Sequence, residues 1–283
     1  MADLPKSRIR LLSSIRWGGQ ALACLYVSIL SGIVLALQYN PAEPFYSSAT
    51  LELVVPYGRF WRSLHFYSSQ AFFLLLLVHL AVILNQKGFV GPRGAWLRLM
   101  ASLPIGLLLL FTGYVLRGDA TGEAAGAIAE HIALSIPVIG QQLNRFLFDI
   151  IAAGMRKVYA NHLIGLMALG MISLWPHLRR FPIRFSQHML SVLAILLICL
   201  VLDAPMEPAR IGLTHIAGPW FFLGLQELLR FIPPFWAGVV FPATVLAALF
   251  FYPQSLQRQK IVLRGILLWC TAYLILTLIS LLR

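Results

Sequence analysis

The sequence predicts an all-α integral membrane protein of seven transmembrane helices, a four-helix bundle (spans A–D in chain order) followed by three further spans. Three observations carry this. Hydrophobic residues make up 59% of the 283 positions and charged ones only 11%, and the mean hydropathy is +0.81. Several apolar runs reach the roughly 20 residues that cross a bilayer's hydrocarbon. The net charge of +12 is distributed unevenly between the connections.

The spans are expected at about 17–38, 60–84, 95–116, 158–178, 188–203, 234–252 and 261–282. The first apolar run is long and has no small-residue cleavage signature, so it is expected to remain as a span. Placing the N-terminus in the cytoplasm puts thirteen Lys and Arg on that side, namely Lys6, Arg8, Arg10, Arg16, Lys87, Arg93, Arg98, Arg179, Arg180, Arg184, Arg258, Lys260 and Arg264, with Asp3 the only acid. The other nine basic and nine acidic residues balance on the opposite face, as the positive-inside rule requires. A pI near 10.2 therefore needs no nucleic-acid partner. The cytoplasmic face is called n below and the other face p.

Two long connections fall on the p side. The first, about 40 residues from "GDATGEAAG" to "GMRK", has helical spacing interrupted by "SIPVIG" and reads as a pair of amphipathic helices. The second, 204–233, contains a shorter amphipathic helix closed by prolines. Cys24, Cys199 and Cys270 all lie in spans and no CxxC occurs, so they read as small apolar packing residues.

The chemistry lies in four histidines. Thirteen residues separate His65 from His79 and fourteen separate His162 from His177. Each pair returns to roughly one helix face, about 21–22 Å further along the axis. Two such helices facing each other offer two bis-imidazole sites stacked through the membrane, each fit for a haem iron. Histidines that only pack are common in membrane helices, but matched pairs on two spans are a different pattern. His131, His188 and His215 have no partner at this spacing and read as loop or interface residues. Arg62 precedes His65 by one helical turn and is expected to face a haem propionate; Arg156 and Lys157 flank His162 in the same way.

These stretches are similar to the cytochrome b/b6 family, the di-haem membrane subunit of quinol:cytochrome c reductases and of the plastoquinol-oxidising complex. The matching segments are "WGGQALACLYVSILSGIVLALQY", "RSLHFYSSQAFFLLLLVHL", "TGYVL", "SIPVIG" and "NHLIGLMALGMISLWPH", together about residues 14–180. The chain resembles a divergent bacterial member with b6-like histidine spacing. The resemblance implies a di-haem bundle over 1–186 and a three-helix, subunit-IV-like region over 187–283. It assigns His65 and His162 to the p-side haem b and His79 and His177 to the n-side haem b. It also implies that Gly18 and Gly32 in the first span and Gly113 in the third lie against the macrocycles, whereas Leu99 stands where the partner of Gly113 is expected.

Other positions depart from the family pattern. Gly218, Pro219, Trp220 and Phe221 align with its "PEWY" motif, so the carboxylate is missing; Glu227 is the best substitute proton acceptor, with Asp203 and Glu207 behind it. Arg117, Gly118, Asp119 and Ala120 replace "PWGQ", and Arg16 replaces the cysteine that anchors an extra haem in b6-type proteins. The resemblance implies an electron-transfer subunit of a quinol/quinone oxidoreductase in the bacterial inner membrane, with quinone as substrate. Its redox partner would be a Rieske-type protein, a multihaem cytochrome c or another iron–sulfur subunit. The competing readings are a ferric-reductase or NADPH-oxidase-like di-haem conduit, and a structural or transport subunit whose histidines ligate nothing; the glycine pair and "SIPVIG" favour the cytochrome b reading over both.

Overall fold

The computed structural model describes residues 15–85, 91–208, 216–252 and 256–282. Lys6, Arg8, Arg10, Asp3, Lys87 and His215 lie outside the described residues. Every regular element among the described residues is helical. Besides the short turns Ile150–Ala153 and Phe185–Gln187 they are, in chain order, α1 (Trp17–Ala36), α2 (Pro44–Leu53), α3 (Gly58–Asn85), α4 (Arg93–Val115), α5 (Ala120–Leu134), α6 (Gly140–Leu147), α7 (Arg156–Arg180), α8 (Met189–Val201), α9 (Leu223–Leu228), α10 (Trp236–Phe250) and α11 (Leu256–Leu281).

Five helices are long and apolar enough to cross a membrane: α1, α3, α4, α7 and the stretch Arg258–Leu281 of α11. The fifth and sixth expected spans are shorter. α8 has 13 residues, and α10 combines a five-residue π turn with ten α-helical residues. At about 1.5 Å per residue these reach roughly 20 Å, against about 30 Å of hydrocarbon. α8 stops because Leu202 is already extended and the Ala204 amide donates to Ser63 Oγ at 2.9 Å. α10 begins only after the Pro233–Pro234 pair.

The described chain forms two compact units. Residues 15–39, 49–85 and 175–205 form one. Here α1 packs along α3, and α8 lies against both. Cys24, Leu64, Ile195 and Cys199 form its buried core, ringed by Trp61, Phe72 and Leu75. Both buried cysteines are free thiols, as their apolar reading expects. The segment leaving α8 is fastened to α3: Tyr67 Oη donates to the Asp203 carbonyl at 3.0 Å, and Arg62 Nη1 and Nη2 donate to the Pro205 and Ala204 carbonyls.

Residues 40–48, 92–174, 206–208, 216–252 and 256–282 belong to the second unit. α4 contacts α5, α7 and α10, and α9 packs on α11. The expected amphipathic pair is present as α5 and α6, joined through Ser135–Ile139 with Val138 at a φ of 67°. Phe241, Trp269 and Tyr273 stack between α10 and α11, and Trp96 Nε1 donates to the Leu249 carbonyl at 2.8 Å.

The segment that replaces "PWGQ" organises the entrance to α5. Asp119 is fully buried and caps the helix, accepting from the Gly122 amide at 2.9 Å and Thr121 Oγ1 at 3.0 Å. Its second oxygen accepts from Arg117 Nε at 2.9 Å and from the Glu207 amide at 2.9 Å. Gly118 has a φ of 65°, and a Cβ there would lie 2.6 Å from the Phe45 amide nitrogen. A backbone turn held by one carboxylate thus replaces the missing motif, and removing that carboxylate strands the nearly buried Arg117 guanidinium. Asp119→Ala is expected to lower unfolding stability by about 3–5 kcal/mol. Replacing the exposed Glu123 in the same helical turn should cost less than about 1 kcal/mol, both measured by denaturation in one detergent.

Candidate functional site

Three of the four paired histidines lie against a glycine. On α1, a Cβ built at Gly32 would come 2.8 Å from His65 Cε1, and one at Gly18 would come 3.0 Å from His79 Cε1. On α4, a Cβ at Gly113 would come 3.0 Å from His162 Cε1. The Gly32 contact is closer than real Cβ atoms come, and the other two are closer than most. The three glycines singled out in the sequence leave bare backbone opposite an imidazole, as Gly19 also does opposite His188. His177 packs instead on Phe181, ring centroids 4.9 Å apart.

Hydrogen bonding fixes which ring nitrogen carries the proton. His65 Nδ1 lies 2.8 Å from the Ser28 carbonyl, which only accepts, so Nδ1 is the protonated nitrogen. His162 Nδ1 lies 2.9 Å from Thr112 Oγ1. The Thr112 hydroxyl has one proton and two carbonyls in reach, Leu108 at 2.7 Å and Leu109 at 3.2 Å. It donates there and accepts from His162 Nδ1–H, so Nδ1 again carries the proton. Sequence reasoning missed Ser28 and Thr112; the signal available was a hydroxyl one residue before Gly113 and another four before Gly32.

His79 and His177 both belong to the first unit and are close enough to interact electrostatically. His65 belongs to the first unit and His162 to the second. His162 lies within a π turn, Asn161–Gly165. A π turn takes up about one residue more than an α turn, so within α7 the fourteen intervening residues become helically equivalent to the thirteen of α3. Asn161 anchors that turn by donating to the Phe146 and Leu147 carbonyls at 2.7 and 3.1 Å, and a Cβ at Gly165 would come 2.7 Å from its Oδ1.

Several expected contacts have other partners. Arg62 is not directed at open space for a propionate: it is buried, with Nε donating to Glu52 Oε2 at 2.6 Å and the other nitrogens taken by the Ala204 and Pro205 carbonyls. Its position one turn from His65 was read correctly, but Glu52 of α2 supplies the anion. Lys157 pairs with Asp149, and Arg156 is exposed. Arg16 donates to Gln187 Oε1 at 2.7 Å. His131 is exposed, its Nδ1 bonded to the Ala127 carbonyl at 2.8 Å. His188 is buried, its ring set against Gly19.

Among the candidate acids, Asp203 is exposed and pairs with Arg59 at 3.3 Å, and the Glu207 side chain is exposed. Glu227 is 2% exposed, on α9, with Arg230 3.9 Å away. Gln226 beside it holds the "GPWF" segment, accepting from the Gly218 amide and donating to the Ile216 carbonyl, both at 2.8 Å. Between α5 and this segment runs a cleft of about 180 Å³, counting the part open to solvent, lined by Thr121, Ala125, Ile128, Gly218, Phe222 and Gln226.

The family described as cytochrome b/b6/petB matches residues 3–179. Cytochrome b6 of Heliomicrobium gestii is 31% identical over 166 residues, covering 56% of this chain and 78% of that protein. Cytochrome b of Bugula neritina is 25% identical over 269 residues, covering 82% of this chain and 73% of its own. A chain of the solved structure titled "Hyperthermophilic respiratory Complex III" superposes with a TM-score of 0.67 at 20% identity, covering 99% of this chain and 85% of that one. Bare backbone opposite three imidazoles, two of them oriented by a hydrogen bond at Nδ1, fits the haem b that this family implies, and the chain, an integral membrane protein by its apolar helices, belongs to the cytochrome b/b6 family.

Proposed function

We propose that this chain is the di-haem b subunit of a quinol/quinone oxidoreductase complex, and that it passes electrons across the membrane between a quinone site and a redox partner subunit. The observation that carries the reading is the set of glycine–imidazole contacts, Gly32 with His65, Gly18 with His79 and Gly113 with His162, inside the family match. Seven spans, an N-terminus in the cytoplasm of a bacterial inner membrane, and a division into 1–186 and 187–283 belong to the same proposal, supported by the charge distribution.

When bound, each haem supplies a one-electron redox centre whose potential the protein tunes. The chain's part is positioning. His65 and His162 offer Nε2 to the p-side haem, and His79 and His177 hold the n-side haem. Gly18, Gly32 and Gly113 keep Cβ atoms out of the planes beside them. Arg62 and Glu52 anchor the α3 turn that carries His65.

Quinol oxidation releases protons, and a base must receive them. Glu227 is the proposed acceptor: it is a buried carboxylate one residue from Gln226, which lines the cleft beside the "GPWF" segment. That cleft is smaller than the roughly 300–1,000 Å³ of small-molecule pockets, so a quinone ring enters as α5 and the Gly218 segment separate. A redox partner on the p side, a Rieske-type protein, a multihaem cytochrome c or another iron–sulfur subunit, would complete the path in a hetero-oligomeric complex.

Three outcomes test the proposal. Purified protein should give about two b haems per chain by pyridine haemochrome, falling to about one in His79→Leu or His177→Leu; no b haem in the wild type would leave the structural or transport reading. Gly32→Val should cost the p-side haem and spare the other, whereas Gly94→Ala, with nothing within 4 Å of its Cβ, should keep both. Glu227→Gln should slow quinol-driven haem reduction by about a hundredfold or more, and an unchanged rate would remove Glu227 as the acceptor.

A further inference from the structure

We infer that Thr112 is a positioning residue for His162: its hydroxyl fixes the imidazole tautomer and, through the Nδ1–H bond, lowers the reduction potential of the p-side haem relative to the n-side haem. The inference rests on the haem assignment proposed above.

Four observations carry it. Thr112 is 2% exposed, so its hydroxyl faces His162 without competing water. Its own proton is committed to the Leu108 carbonyl at 2.7 Å, which leaves a lone pair on the 2.9 Å line to His162 Nδ1. Asn161 holds the ring's backbone from the other side through the Phe146 and Leu147 carbonyls. Neither His79 nor His177 makes a side-chain hydrogen bond among the described residues, whereas both proposed p-side ligands have Nδ1 engaged, His65 by the Ser28 carbonyl and His162 by Thr112.

The physical consequence follows from ligand basicity. A hydrogen bond accepted from Nδ1–H pushes electron density toward Nε2, makes the imidazole a stronger donor and stabilises the oxidised iron over the reduced one. The effect is larger in a dry, low-dielectric setting. The Ser28 carbonyl is backbone and cannot be removed by substitution; the Thr112 hydroxyl can.

The test compares Thr112→Val, which keeps the β-branched shape and deletes the hydroxyl, with Thr112→Ser, which keeps the hydroxyl. Each haem's midpoint is read by potentiometric titration of purified protein, and the p-side component is identified as the one that persists in His79→Leu. Thr112→Val should keep both haems and raise the p-side midpoint by about tenfold in its reduction equilibrium, about 59 mV for a one-electron couple. The n-side midpoint should not move, and Thr112→Ser should match the wild type. Loss of the p-side haem in the valine variant alone, with the serine variant normal, also supports the inference. An unshifted p-side midpoint in the valine variant, or equal effects of both substitutions, overturns it. A wild type without b haem strikes the haem assignment and this inference together, whereas a normal wild type with an unshifted valine variant strikes only the role of Thr112.

Discussion

An imidazole in a membrane helix has two nitrogens to satisfy in surroundings that offer no water, and the organisation of this protein turns on how that demand is met. For His65 and His162 the neighbouring helix takes Nδ1, through a carbonyl on α1 and a hydroxyl on α4. The same neighbouring helices present glycine to the ring face. One helix therefore supplies both the orientation of the ligand and the space beside it. A side chain at any of the three glycines would displace the ring it faces and undo both at once.

The spacing of the histidines shows how backbone geometry absorbs a sequence irregularity. An extra residue in an α-helix rotates everything beyond it by about 100°, which would turn His177 away from the face that His162 occupies. The π turn at Asn161–Gly165 takes up that residue where the first ligand sits, and Asn161 ties the widened turn to the carbonyls that end α6. π turns concentrate at functional positions because they re-aim a side chain without breaking the helix.

The segments that follow α4 and α8 depart most from the family pattern, and their replacements are chemically coherent. Asp119 joins the end of α4, the start of α5 and the strand of chain at Glu207 through one carboxylate. Gln226 performs the corresponding task for the segment at Gly218. Both are polar side chains that satisfy backbone amides in loops too apolar to rely on solvent. Arg62 follows the same logic, holding the chain after α8 to the N-terminal turns of α3.

Composition and periodicity alone determined the helical membrane class, five long helices, the helical pair α5–α6 and the matched spacing of the four histidines, because apolar length and a 3.6-residue repeat are local properties of the chain; the three glycines were picked out only by the family resemblance. The lengths of α8 and α10 were not legible: they depend on Ser63 capturing the Ala204 amide and on where a proline pair lets a helix begin. Nor were the partners of Arg62, Asp119, His65 and His162, which lie from 2 to 143 residues away in sequence. Arg62, expected beside a propionate, meets Glu52 and two backbone carbonyls. Which atom a polar side chain meets is set by how helices pack, and only tertiary structure brings the Ser28 carbonyl and the Thr112 hydroxyl to the imidazoles of His65 and His162.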